Sequence, residues 1–154
     1  MHRPGLYLAA ALTLAAIGLA AEAHAEPKHY QVSQRHFEEL ADRSSRLARE
    51  ADGTSDINAC NYFTAVAMTY AVRAHVLAQL ADLAAQLRQP EDRALARQKL
   101  AESQAYTSPY LETDLKMLEN LSASTRNSGI RETGMRLLNE LRVFARNVAV
   151  RPKD

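Results

Sequence analysis

The sequence predicts an all-α protein, an antiparallel up-down four-helix bundle that follows a secretory signal peptide. Apolar residues recur with the 3.6-residue period of a helix, and no segment shows the period-2 alternation of a strand. Only five glycines occur in 154 residues, which favours long uninterrupted helices. Residues 26–154 form one domain that is long enough to bury a core of its own.

Residues 1–25 have the pattern of a cleaved secretory signal peptide. Arg3 lies in a short charged start, an apolar run follows over residues 6–21, and Ala23-His24-Ala25 fits the small-x-small cleavage site. The apolar run is shorter than the roughly 20 residues that a helix needs to span a bilayer. We therefore expect cleavage after Ala25 and export to the periplasm or the medium, with an uncleaved anchor as the alternative.

Composition limits the classes of partner and the means of stabilisation. The chain has 19 Lys and Arg against 18 Asp and Glu, a balance that argues against non-specific nucleic-acid binding. Cys60 is the only cysteine, so helix packing must supply the stability. We expect Cys60 to be a small, partly buried free thiol, with an intermolecular disulfide as the alternative.

The first two helices follow from apolar spacing and one glycine. The first is predicted over residues 31–52, with one buried face. Gly53 ends it, and Thr54 or Ser55 caps a second helix that runs to about residue 89. The predicted buried face of the first helix consists of Phe37, Leu40, Ala41, Ser44, Leu47, Ala48 and Ala51.

The third and fourth helices are set by prolines and a polar loop. Pro90 suits the first turn of a third helix that runs to about residue 123. Pro109 lies within it and should kink or break it, which would make five helices. The polar run 122–128 forms a loop, and the fourth helix, 130–150, has the cleanest apolar stripe, ended by Pro152.

Unequal helix lengths predict an overhanging hairpin with a candidate interface. At about 1.5 Å per residue, the first and fourth helices reach roughly 33 Å and the second roughly 52 Å. The far end of the second helix therefore carries leucines that need a partner. The third segment can fold back over them, a second copy can cover them, or they can bind another protein. The candidate residues are Leu80, Leu83 and Leu87.

The fourth helix carries a second candidate interface, which is basic. Arg131, Arg142 and Arg146 share its polar side, where they can dock an acidic protein or an anionic lipid. The alternative is a solvated face whose charge is balanced by Glu132 and Glu140.

Metal and cofactor ligands lack the spacing that they need. Ligands on one helix converge at separations of three or four residues, whereas Met68 and His75 are seven apart and Cys60 is farther from His75. We expect no cofactor and no metal. The alternative is a periplasmic bundle that binds metal, or haem without covalent attachment, through residues such as His36, His75 or Met68.

Catalytic motifs are equally hard to find. Cys60 and His75 are separated by roughly 22 Å along one helix, too far for the histidine to activate the thiol. The sequence contains no Gly-x-Ser-x-Gly and no phosphate-binding glycine loop. We expect a protein that is not an enzyme. An enzyme would need a pocket that pairs His36 or His75 with a carboxylate.

Arg73 falls inside the wide apolar arc of the second helix. A buried guanidinium needs a carboxylate or carbonyl groups nearby, and Glu39, Asp114 or Glu140 can supply one. The arrangement that the sequence favours over such a pair is a side chain that extends along the apolar surface to reach water.

These observations favour a small exported helical protein that acts by protein–protein binding. The partner is another protein or a second copy in a homodimer. Nucleic acid is not expected, nor an integral membrane segment after cleavage. Exported bundles of this size serve as inhibitors, immunity factors, chaperones or envelope-stress proteins, which is an analogy from fold alone.

Overall fold

The computed structural model describes residues 27–149, which form four helices. They are α1 (Pro27–Glu50), α2 (Thr54–Gln86), α3 (Pro90–Ser124) and α4 (Ser128–Ala149). Three connections of three residues each join them, and this part of the chain contains no strand. The predicted all-α four-helix bundle is confirmed. The predicted signal peptide, the cleavage site and Pro152 lie outside the described residues.

Prolines begin two helices and interrupt neither. Pro27 begins α1 four residues before the predicted start, and Pro90 begins α3 as predicted, since the amide that proline lacks is unpaired in a first turn anyway. α3 continues through Pro109, so the predicted break with a fifth helix is wrong. Pro109 and Ala105 are both exposed, and the carbonyl that loses its hydrogen-bond donor lies where water can reach it.

The helix caps differ from the predicted ones. Gly53 is the N-cap of α2 with an extended backbone, and no side chain completes the cap. The predicted capping role of Thr54 or Ser55 is wrong, because both residues are already helical. At the start of α4, Asn127 Oδ1 accepts hydrogen bonds from the amides of Gly129 and Ile130 at 3.0 and 3.2 Å, as a side-chain cap should.

Four aromatic rings form the centre of the core. The Phe144 ring contacts those of Tyr30, Phe37 and Tyr70, with centroids 6.2, 5.6 and 5.8 Å apart. All four side chains are fully buried, and their edge-to-face contacts are the arrangement that ring quadrupoles favour. The rings come from α1, α2 and α4, which fixes how these helices approach one another.

In cross-section the four helices lie at the corners of a rhombus rather than of a square. α2 packs against α1, α3 and α4, whereas α1 and α3 are the one pair of described helices without backbone contact. The short diagonal therefore joins α2 to α4, and α2 lies at an obtuse corner. The outer side of α2 and the adjoining edges of α1 and α3 consequently form one broad surface. Within residues 27–149 no helix is both long and apolar enough to cross a membrane.

Candidate functional site

The outer side of α2 is unusual because it is exposed and carries no charge. Twelve exposed residues lie between positions 57 and 86, and none is Asp, Glu, Lys or Arg. α1 also has twelve exposed residues, of which eight are charged. We call this surface the uncharged face. It consists of eleven of these residues, Asn58, Asn61, Ala65, Met68, Thr69, Val72, His75, Val76, Gln79, Leu83 and Gln86. The twelfth, Ala85, is exposed near the end of α2 on the side of the buried Ala74 and Ala78.

Apolar side chains occupy the middle of the uncharged face. Val72 is 64% exposed and Met68 is 59% exposed, although both are of types that proteins ordinarily bury. A helix that is apolar on all sides is normally enclosed on all sides. α2 has one side open to solvent, and large exposed apolar patches on proteins commonly mark interaction sites.

The exposed residues form a straight row along α2, which we call the central row. It contains Asn61, Ala65, Met68, Val72, Val76, Gln79 and Leu83, all exposed. The spacings of four, three and four residues repeat once with a period of eleven. Eleven residues make slightly more than three whole helical turns, so the row runs nearly parallel to the helix axis. Another helix can therefore lie along its whole length.

Aromatic residues of α3 extend the uncharged face on one side. Tyr106 and Tyr110 are both exposed, and their rings lie 5.9 Å apart. The guanidinium of Arg73 lies over them, 5.6 and 4.9 Å from the two centroids, and over Tyr70 at 5.4 Å. An arginine nitrogen also lies 3.4 Å from the Thr107 carbonyl oxygen, to which it donates. Cation–π contacts thus join α2 and α3 at this edge.

Two of the three carboxylates suggested for Arg73, Asp114 and Glu140, make other contacts. Asp114 accepts hydrogen bonds from Tyr62 and Tyr70 at 2.9 and 2.7 Å, and Glu140 lies against α1. Arg73 is half-buried and reaches the tyrosine rings at the surface, which is the extended conformation that the sequence favoured over a buried ion pair.

Tyr62, Tyr70 and Asp114 form a hydrogen-bonded cluster between α2 and α3. Burial is the largest cause that raises the pKa of both phenols, and the Asp114 carboxylate raises them further because a phenolate beside it would be repelled. Arg73 partly offsets this effect on Tyr70. Both tyrosines are therefore hydrogen-bond donors, and the cluster holds the two helices in fixed register.

A groove of about 340 Å³ borders the other side of the uncharged face, between α1 and α2. Met68 and Val72 form its apolar side, and Glu38 and Asp42 of α1 stand at its rim. The two edges of the uncharged face thus differ in charge at the level of Val72. The α1 edge is acidic, and the α3 edge carries Arg73.

The predicted leucine interface is only partly exposed. Leu83 is 49% exposed and belongs to the central row. Leu80 and Leu87 are half-buried, and Leu80 packs against the core. Sequence reasoning placed the apolar surface at the far end of the hairpin, whereas the structure extends it along α2 through Val72 and Met68.

The three arginines of the predicted basic interface do not all lie on one surface. Arg131 donates to the Thr125 carbonyl at 2.8 Å and closes the loop before α4. Arg142 lies 3.6 Å from Glu119, with both side chains largely exposed. Arg146 lines an open groove between α3 and α4 together with Arg142 and Leu115. Two of the three arginines therefore share a surface, and the third has a structural contact.

His36 contacts the carboxylate of Glu140, but the side chains around it are not arranged as a catalytic triad. Its Nδ1 lies 2.9 Å from Glu140 Oε2, and Ser33 donates to Glu140 Oε1 at 2.8 Å. The carboxylate lies between the serine and the histidine, so the histidine is not placed to take the serine proton. His75 Nδ1 lies 3.2 Å from Gln34 Oε1, which is a contact at the surface between an exposed histidine and a half-buried glutamine.

Cys60 is more deeply placed than expected. It is fully buried in the core rather than partly exposed. Burial is the main cause that raises the pKa of its thiol, and the negative charge of Asp56 adds to it. A raised pKa keeps the thiol protonated and unreactive. A disulfide to another chain would require the helix to leave the core first.

Haem bound within the bundle would need axial ligands that point into the core. The candidate ligands lie at the surface instead. Met68, Met117 and Met135 are all more than 40% exposed, and His36 and His75 are exposed as well. Within residues 27–149, no group of three or more His, Cys, Asp or Glu side chains has the geometry to hold a metal ion.

No protein-family model, curated protein or solved structure matches the chain.

Proposed function

We propose that this protein is exported and acts by binding protein through the uncharged face of α2. The observation that carries the proposal is the contrast between twelve exposed α2 residues without a charge and an α1 surface of the same count with eight charges. Charged residues are depleted at the centres of protein interfaces. An exposed apolar surface of this kind marks an interaction site.

The contacts behind the face support the same function. Asp114 holds Tyr62 and Tyr70, and Arg73 is held over Tyr106 and Tyr110. These contacts fix the backbone beneath the face, so a partner meets a preformed surface and little ordering has to accompany binding. Tyrosine and arginine at the edge are also residue types enriched at interfaces. Export is supported by the signal-peptide pattern of residues 1–25.

Site-specific photocrosslinking in the native cell tests the proposal. A photoreactive amino acid at Val72 should give crosslinked protein that mass spectrometry can identify. The matched control places the same amino acid at Val143 of α4, which is also an exposed valine on the helix diagonally opposite α2. Crosslinking at Val72 that does not exceed crosslinking at Val143 would refute the proposal.

A further inference from the structure

We infer that the partner recognised by the uncharged face is a second copy of this chain, paired with its α2 parallel to the first across a two-fold axis. This inference rests on the proposed function and names the partner at the same site. Four observations support it: the absence of charge, the size of the surface, the residues of the central row, and the unlike charge of the two edges.

The absence of charge suits a surface that packs against the same surface of a second copy. In a two-fold dimer each residue near the axis meets its own counterpart, so any charged residue there would face a like charge. The uncharged face has no such residue over residues 57–86. Homodimer interfaces are also more apolar than those between proteins that associate transiently. A face built for a different partner gains specificity from complementary charges, which this one lacks.

The surface is large enough for a stable dimer. From Asn61 to Leu83 the central row is about 33 Å long at 1.5 Å per residue. With the adjoining edges of α1 and α3, a contact roughly 20 Å wide covers about 700 Å² on each copy, close to the about 800 Å² per partner of a standard interface. The obtuse corner at α2 lets both edges take part.

The central row favours a parallel pair over an antiparallel one. In a parallel pair Leu83 meets Leu83 of the second copy, and Asn61 meets Asn61. In an antiparallel pair centred on Val72, Leu83 would meet Asn61 instead. Parallel pairing therefore matches apolar with apolar and polar with polar at the two ends of the row, while Val72 meets its counterpart in both arrangements.

The charges at the α1 and α3 edges of the uncharged face also favour parallel pairing. A two-fold axis parallel to α2 places the α1 edge of one copy beside the α3 edge of the other. Glu38 and Asp42 then face Arg73 with its two exposed tyrosines, so opposite charges approach. Antiparallel pairing would bring α1 edge against α1 edge, and the four carboxylates would repel one another. Electrostatic complementarity of this kind sets orientation more than affinity.

Cysteine crosslinking of the purified full chain tests both the partner and the arrangement. Val72→Cys and Leu83→Cys should each give a disulfide-linked dimer under mild oxidation, with similar yields. The unmodified chain is the control, because Cys60 is fully buried. Antiparallel copies would hold the two residues 83 about 33 Å or more apart. A dimer crosslinked at position 72 but not at position 83 overturns the inference.

The mass in solution gives the second measurement. Sedimentation equilibrium should show a dimer for the unmodified chain, and Val72→Asp should raise its dissociation constant by about 100-fold or more, because two carboxylates would be buried together. Val143→Asp should leave the dimer intact. An unmodified chain that remains monomeric at about 100 μM overturns the inference, a concentration well above typical dissociation constants of specific complexes. Crosslinking of Val72 to a different protein in cells would then still support the proposed function.

Discussion

The phenol of Tyr70 donates a hydrogen bond of 2.7 Å to the carboxylate of Asp114, which ties α2 to α3 beside the uncharged face. The other carboxylate oxygen accepts from Tyr62 at 2.9 Å. One aspartate therefore satisfies two partly buried donors eight residues apart on α2. Because side chains at that spacing lie about 80° apart around a helix and about 12 Å apart along it, the cluster fixes both the height and the rotation of α3 relative to α2.

Asp114→Ala should destabilise the fold by about 2–4 kcal/mol, because it leaves two partly buried phenols without their acceptor. Tyr62→Phe should cost less, about 1–2 kcal/mol, since only one hydrogen bond to a charged group is lost. Urea denaturation of each variant measures these differences. A cost for Asp114→Ala no greater than that for Tyr62→Phe would show that the aspartate does not hold both tyrosines.

The same cluster predicts how stability depends on alkaline pH. The pKa values of Tyr62 and Tyr70 are raised from the ordinary 10.0 in the folded state. The unfolded chain therefore releases these protons first, and the free energy of unfolding should fall as the pH rises above about 10. Below that pH the contribution is fully present. Chemical denaturation between pH 8 and 11 follows the change.

Asp114→Asn isolates the contribution of the carboxylate charge to these pKa values. Without the negative charge, the phenols of Tyr62 and Tyr70 should ionise at lower pH in the folded state. Ultraviolet absorbance of phenolate, measured during a pH titration, reports the shift. An unchanged titration would mean that burial alone accounts for the raised pKa values.

Arg73→Leu should destabilise the protein by only about 1 kcal/mol, because cation–π contacts at a half-exposed site are individually weak. Its cost should be smaller than that of Asp114→Ala, since Arg73→Leu leaves no partly buried phenol without its acceptor. Arg73→Lys should not restore full stability, because an ammonium cannot stack on the rings as a planar guanidinium does. Thermal unfolding of both variants provides the comparison, and full stability of Arg73→Lys would argue against stacking.

Gly134→Ala should be destabilising, although alanine is the better helix former. An added Cβ would come within 2.7 Å of the fully buried Phe63 ring and would also overlap the Ser122 hydroxyl. Overpacking of this kind costs about 1–3 kcal/mol, which outweighs the ~1 kcal/mol that alanine gains within a helix. Gly53→Ala is the control, because nothing lies within 4 Å of the added atom. Equal stability of the two variants would show that α4 can move away from α2.

The sequence was sufficient for the four helices because their apolar periodicity and their terminating residues are local features. α4 shows this most clearly, since Ile130, Leu137, Leu141 and Phe144 of its predicted apolar stripe are all buried and Ala145 is half-buried. Of the kink or break predicted at Pro109, the break does not occur, because tolerance of a helical proline depends on whether its surroundings are solvent, which the local sequence does not encode.

The uncharged face was missed for a different reason. Its signal is present in the sequence, because α2 carries only Asp56, Arg73 and Asp82 as charged residues in thirty-three positions. Such a helix is ordinarily enclosed by its neighbours, and only the packing shows which side is left open. The contacts of Arg73 with Tyr106 and Tyr110, which lie 33 and 37 residues farther along the chain in α3, depend on the register of two helices, which periodicity alone does not determine.

The most direct measurement is radical oxidation of the methionines in intact cells that produce the protein. On the isolated chain Met68 is 59% exposed and Met135 is 41% exposed, so an uncovered α2 would give faster oxidation at Met68. We predict the opposite order in the cell, with Met68 protected by the protein bound to the uncharged face and Met135 freely oxidised. Oxidation of Met68 that remains faster than that of Met135 would contradict the account.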